Sequence, residues 1–497
     1  MKFGQIDRRQ LLQGVACFSL AGCALDRFVT GAHAASSATV LNVDSRVLDV
    51  NGKAAKVYGL TQPNGFAGLE TAAGSNFQVS LVNRLDHDTL VHWHGLTPPS
   101  NQDGVPGLSQ PPLKAKGRYE YKFPLERPGT YWMHSHVGLQ EQKLLAAPLI
   151  VHDPAEAGLD EQNVVIMLHD FTHKDPVEIL HKLRSGGNGQ HDAGISKSEG
   201  AMPMAGNGMS MDGKTMDMGT GGMAMAMEMD LNDVEFDAYL ANDRTLADPE
   251  VVRVEAGAKV RLRIINAAAS TNFVLDLGTL EGSLIAVDGQ PVMPVPGRRF
   301  EIAIAQRLDI RVALPSGNGG YPILAIREGD RARTGIYLAT RSGTVAKLAD
   351  AGAFEAPPVR LDLEQRLRAT TPLTSRSVNR RLELNLTGSM ARYIWTLNGR
   401  IYEDRIPLKA AKNERVEIVM HNQTGMAHPM HLHGHIFQVV ALNGKPLAGA
   451  MRDTVIVPPK GRVTIAFDAD NPGRWAFHCH NLYHMASGMF TSLEYEA

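Results

Sequence analysis

Two distant stretches of this chain are copies of one another, and that limits its architecture more than any other feature. Gly117–His136, GRYEYKFPLERPGTYWMHSH, aligns without a gap to Gly461–His480, GRVTIAFDADNPGRWAFHCH, with seven identities in twenty positions. The Pro-Gly pair and both histidines are among them. Asn83–Gly95 aligns in the same way to Asn422–Gly434, so that His92-Trp-His94-Gly95 falls on His431-Leu-His433-Gly434. A middle copy around Val260–Asn266 keeps the strand pattern and the Asn but has no histidines. Such repetition means a row of like units, each too small to be the whole fold, and 497 residues leave room for about three domains of ordinary size. Within the copies, apolar and polar residues alternate, as in Phe77–Val82 and Arg118–Phe123, and Pro or Gly ends each run. Period-two alternation buries one face of a strand. Helical spacing is not sustained over any long window, so an all-β chain of three β-sandwiches is predicted.

Charge and composition remove several classes of function. Fifty Lys and Arg against fifty-two Asp and Glu leave a formal charge of −2, which excludes a basic nucleic-acid binder. No apolar run reaches the roughly 18 residues that a membrane-spanning helix needs. Of the three cysteines, Cys17 and Cys23 lie in the first 25 residues and only Cys479 falls in the folded body. A disulfide framework and a multi-cysteine zinc site are thereby excluded. The paired arginines of Asp7-Arg-Arg-Gln-Leu-Leu12, followed by a short apolar stretch, resemble a twin-arginine export signal spanning residues 1–34. Two maturation routes fit: cleavage after Ala32-His-Ala34, or lipid attachment at Cys23 within Leu20-Ala-Gly-Cys23. Either places the protein in the periplasm or cell envelope.

Four histidine-rich clusters carry the chemistry: His92-x-His94, His134-x-His136, His428-x-x-His431-x-His433, and His478-Cys479-His480 with His484 and Met489 beyond. Residues i and i+2 of a strand project from one face, so each His-x-His pair points two imidazoles the same way. Matching pairs from the first and last repeats can then converge as eight imidazoles, more than one metal uses. Imidazole suits copper. In His478-Cys479-His480 the thiol turns to the opposite face and must serve a different metal from its neighbours. With His428, His484 and Met489 it makes the two-His, one-Cys, one-Met set of a blue-copper electron-transfer site.

These four motifs, in this order, closely resemble those of the multicopper oxidases, and the resemblance covers nearly the whole mature chain. It implies three cupredoxin-like Greek-key domains, at about 38–155, 160–348 and 376–497. It also implies four copper ions: one type 1 copper at the Cys479 set, one type 2 copper on His92 and His431, and two type 3 coppers. His94, His134 and His480 would hold one type 3 copper, and His136, His433 and His478 the other. Asp103, in Gln102-Asp-Gly-Val-Pro106, lies where the family often places a carboxylate that assists proton delivery to oxygen, although Asp-Gly is also a turn former. In the family's cuprous oxidases a glutamate follows the second blue-copper histidine; here Met485 stands there, so no proton role carries over. His435 fits no motif and is assigned to packing around the ligands. Met489, an axial thioether and not an apolar residue, points to a moderate blue-copper potential.

Residues 183–229 are Gly-rich and then Met-rich, with ten of the 21 methionines between Met202 and Met229. Met-x-Met pairs start at 202, 209, 216 and 223. Gly, Asp and Ser between them argue for an exposed insertion in the middle domain, and thioethers are soft donors suited to extra Cu(I). The expected activity is oxidation of Cu(I), or of phenols or aromatic amines, with dioxygen reduced to water and a role in copper resistance. The alternative is a periplasmic copper-sequestering protein with little oxidase activity.

Overall fold

The computed structural model describes residues 38–185 and 231–496. The expected export signal with Cys23, and the methionine pairs of the expected insertion, lie outside the described residues. Among the described residues no helix is long and apolar enough to cross a membrane.

Six sheets pack in three pairs. The first sandwich sets a four-stranded sheet, holding Thr39–Val50, Asn76–Asn83 and Arg118–Pro124, against a second of Leu69–Ala72, Ala146–His152, Gly129–Ser135 and Val91–His94. The middle sandwich has six and five strands, the third seven and five. The repeat seen in the sequence returns as topology. In each unit the opening strand pairs in parallel with the strand that ends in the repeated Asn: Thr39–Val50 with Asn76–Asn83, Gln162–Phe171 with Lys259–Asn266, and Arg380–Ser389 with Arg415–Asn422.

The Asn recurs because its side chain closes the following turn. Asn83, Asn266 and Asn422 each accept the backbone N–H two residues on and donate Nδ2–H to carbonyls across the sandwich. A buried amide satisfied on both sides is a strong local constraint. All four tryptophans, Trp93, Trp132, Trp395 and Trp475, are at most 1% exposed. Three of the four pack near the histidines, so the core and the site are one volume.

Gly434 follows the third sandwich's His-x-His pair at φ +67°, and a Cβ there would lie 2.3 Å from the Trp475 ring. Left-handed backbone and overpacking act together, so Gly434→Ala should cost about 2–5 kcal/mol of stability. Thermal unfolding of the purified variant checks this; an unchanged midpoint contradicts it.

Two helices depart from the sequence expectation. Pro176–Arg184 begins at Asp175, whose side chain accepts the N–H of Val177, with Pro at the first turn. At nine residues it is too short to register as sustained periodicity, and it takes in residues 183 and 184 of the expected insertion. Leu482–Ala486 is shorter still. The connection 349–375 carries no strand, yet buries Ala356, Val359, Leu361, Leu363 and Leu367.

Candidate metal centre

Strands Val91–His94 and Gly129–Ser135 pair so that His92 lies opposite His134; strands His428–Leu432 and Arg474–Cys479 pair so that His431 lies opposite His478. Alternation then turns the histidines of both sandwiches into one pocket. His92 Nε2 is 3.4 Å from His431 Nε2, His134 Nε2 is 3.3 Å from His480 Nε2, and His478 Nε2 is 3.3 Å from His136 Nε2 and 3.0 Å from His433 Nε2. The His94 ring stacks on His431 at 3.8 Å. Apart from the partly exposed His136, each of the eight is at most 2% exposed.

Three buried carboxylates hold the outer nitrogens, and each serves one histidine from the first sandwich and one from the third. Asp103 Oδ2 is 2.9 Å from His433 Nδ1 and its Oδ1 3.3 Å from His92 Nδ1, whose N–H donates to the Asp103 carbonyl at 2.8 Å. Glu141 reaches His134 Nδ1 at 2.8 Å and His480 Nδ1 at 3.8 Å. Asp453 Oδ1 lies 3.1 Å from His94 Nε2 and 3.5 Å from His431 Nδ1. His478 Nδ1–H donates to the Cys479 carbonyl at 3.0 Å.

With the outer atoms so engaged, seven Nε2 atoms face one another, while Nδ1 of His94 is buried without a hydrogen-bond partner among the described residues. Facing lone pairs repel unless a cation lies between them. Burial, followed by the neighbouring imidazoles, holds His94, His134, His136, His433, His478 and His480 well below the usual histidine range. These are the neutral imidazoles that copper takes, and the donor set fits that metal. Candidate triads with donor atoms within 4.8 Å include His136, His433 and His478; others overlap around His92 and His431.

Cys479 turns to the other face, as strand alternation requires. Its Sγ is 3.7 Å from Nδ1 of both His428 and His484, which are 3.1 Å apart. Met489 is fully buried; its N–H donates to the His484 carbonyl, and its carbonyl accepts the Cys479 N–H, both at 3.1 Å. Burial pushes the Cys479 thiol up, so a metal must displace its proton. Thr424 Oγ1 sits 2.8 Å from His428 Nε2, and Asp233 Oδ2 2.9 Å from His484 Nε2. Asn481 caps the helix that carries His484, accepting the N–H groups of Tyr483 and His484 and donating to Ser270 of the middle sandwich at 2.9 Å.

Sequence reading found Asp103 but not Glu141, Asp453 or Asp233. None has a mate in the other repeat. Glu141 alone offered a signal, a charge inside the otherwise neutral Gln-x-Gln that follows His136. His435 packs against the site: its Nδ1–H donates to the His433 carbonyl at 3.0 Å and Nε2 lies 2.7 Å from the Tyr495 hydroxyl.

Three family models described as multicopper oxidase match residues 46–156, 162–342 and 375–497. The chain is 34% identical over 453 residues to multicopper oxidase MmcO of Mycobacterium tuberculosis, covering 88% of this chain and 82% of that protein. It is 28% identical over 537 residues to copper resistance protein A of Escherichia coli, covering 86% and 87%. Among solved structures, a laccase from Botrytis aclada superposes with a TM-score of 0.72 at 24% identity, over 92% of this chain and 88% of that one. A multicopper oxidase from Campylobacter jejuni, titled a metallo-oxidase, gives 0.65 at 19% over 92% and 91%. With three matching domains along its length and a relative above 30% identity, this chain is a multicopper oxidase, a copper-binding oxidoreductase of cupredoxin-like sandwiches.

Proposed function

We propose that the protein oxidises Cu(I), and phenols or aromatic amines more slowly, one electron at a time, and passes four electrons to dioxygen to form water, as a copper-resistance enzyme of the cell envelope. The observation that carries this reading is the sharing of one strand between two donor sets. Cys479 faces His428 and His484, while the flanking His478 and His480 face the eight-imidazole pocket. Cys479, His428, His484 and Met489 would hold one type 1 copper and the eight-imidazole pocket would hold three more, which when bound would supply one-electron chemistry and the reduction of dioxygen. The pocket assignment is type 2 on His92 and His431, and type 3 on His94, His134 and His480 and on His136, His433 and His478. The protein's part is to hold these atoms and exclude bulk water. Peptide bonds from Cys479 to its neighbours make the shortest link between the sets. Asp103, held against His433 and His92, would hand protons to oxygen.

The choice of Cu(I) rests on the two ends of the methionine-rich segment. Before it, helix Pro176–Arg184 packs Ile179, Leu180 and Leu183 into the core that contains Trp395, Cys479 and Met489. After it, Asp233 reaches His484. Both ends are therefore tied to the Cys479 site, and a tethered soft donor raises the local concentration of cuprous ion there. Deleting residues 202–229 should lower oxygen uptake with Cu(I) by about tenfold or more, the scale of a lost tether, and uptake with 2,6-dimethoxyphenol by less than about twofold. Equal losses on both substrates would refute delivery by the segment. Tight copper binding without oxygen uptake on either substrate would instead establish a sequestering protein.

A further inference from the structure

The middle sandwich supplies none of the donor sets, yet its Arg307 reaches the edge of the pocket. Arg307, on strand Arg307–Ala313, is fully buried. Its Nε–H donates to the Thr130 carbonyl of the first sandwich at 3.2 Å. Nη1–H donates to Asp453 Oδ1 of the third at 2.8 Å, and Nη2–H donates to Asp453 Oδ2. Gly95, next to His94, leaves space for this fork: a Cβ there would lie 2.4 Å from Arg307 Nη2 and 2.9 Å from Asp453 Oδ2.

Arg307 is in turn held from behind. Asp288 Oδ1 accepts the Arg307 backbone N–H and Asp288 Oδ2 accepts Arg452 Nε–H, both at 2.9 Å, and Arg452 also pairs with Glu364. Charge alternates along Glu364, Arg452, Asp288, Arg307 and Asp453, none of them more than 3% exposed. The line ends on the outer nitrogens of His94 and His431. Of the three carboxylates around the pocket, Asp453 alone has an arginine or lysine partner among the described residues.

We propose that Arg307 is a positioning residue for the pocket: its fork fixes the Asp453 carboxylate against Nε2 of His94, so that His94 presents Nδ1, and not Nε2, to the metal. A neutral imidazole has one N–H and one lone pair, and an outer hydrogen bond decides which nitrogen is which. His94 is the one imidazole of the eight whose inward atom is Nδ1. Without the guanidinium the carboxylate keeps only the Thr454 hydroxyl, which donates to Oδ1 at 2.8 Å, and either nitrogen of His94 can turn inward. The sandwich that has no ligands thereby controls one ligand of its neighbour.

This rests on the copper reading of the pocket, and the test separates the two. Arg307→Lys keeps a cation but cannot grip both oxygens; the double variant Arg307→Gln with Asp453→Asn leaves no unpaired buried charge. Both full-length variants and the wild type are loaded with copper, dialysed against a chelator, and assayed for copper per chain, for the paramagnetic resonance of the pocket copper, and for blue absorption. The expected result is unchanged blue absorption with pocket copper lost about 10–100-fold more readily in both variants, the usual effect of losing an outer-shell partner. Wild-type copper retention and resonance in both variants would overturn the proposal. So would loss of blue absorption together with the fold in both, which would make Arg307 a fold determinant only. A wild type that loads no copper beyond the blue site would overturn the pocket reading itself and this inference with it.

Discussion

Metal-free protein unfolds as the pH is lowered from about 7 to about 5.5, a range in which the copper-loaded protein stays folded. Seven histidines, namely His94, His134, His136, His428, His433, His478 and His480, are held well below 6.5, first by burial and then by neighbouring imidazoles. In the unfolded chain each takes up a proton near its ordinary value; in the fold it does not. The unfolded state therefore binds more protons below about 6.5, so stability is complete above that pH and falls as the pH drops through it. All seven titrations act in the same direction over the same pH range, so the loss of stability as the pH falls is shared by the whole cluster. Copper occupies the same lone pairs and adds its binding energy to the folded state, about 4 kcal/mol at a thousandfold excess over its dissociation constant. Tryptophan fluorescence against pH, with and without metal, measures both curves. Coincident midpoints would show that the imidazoles are not held neutral for a cation.

Cys479→Ser should abolish oxidase activity with every reductant while leaving the pocket loaded. A hydroxyl of similar size keeps the packing of the strand but is a hard, poorly ionised donor where a soft thiolate is needed. The blue absorption disappears, copper per chain falls by one, and oxygen uptake drops to background with Cu(I) and with phenols alike. His478 and His480 face the other way along the same strand, so their contacts with His433 and His134 are untouched. Oxygen uptake persisting in the variant would mean that electrons reach the pocket by a route that bypasses Cys479.

Much of what could be read from the sequence is what the chain states twice. The His-x-His pairs, the repeated Asn and the Pro-Gly turns have partners in register, and period-two alternation turns their spacing into direction. Single residues that act across sandwiches have no such echo. Asp453 and Arg307 are separated by 146 positions, and their meeting depends on how the middle and third sandwiches dock, which local pattern does not encode. Glu141 and Asp233 likewise gain their places from tertiary contact alone. The helix at Pro176–Arg184 was missed for a different reason: its cap signal was present, but it is too short for periodicity to show.

The pocket has no local precursor. His92 meets His431 across 339 positions, His136 meets His478 across 342, and His134 meets His480 across 346. None of these contacts exists until the two ends of the chain have found each other, so the metal seat cannot form before the first and third sandwiches meet. Loop closure on that scale is slow, but its entropy grows only logarithmically with length. Insertions in the middle of the chain therefore cost this ring little. Copper bound in the pocket would act as a clasp on the ring, slowing its opening more than it speeds its closing.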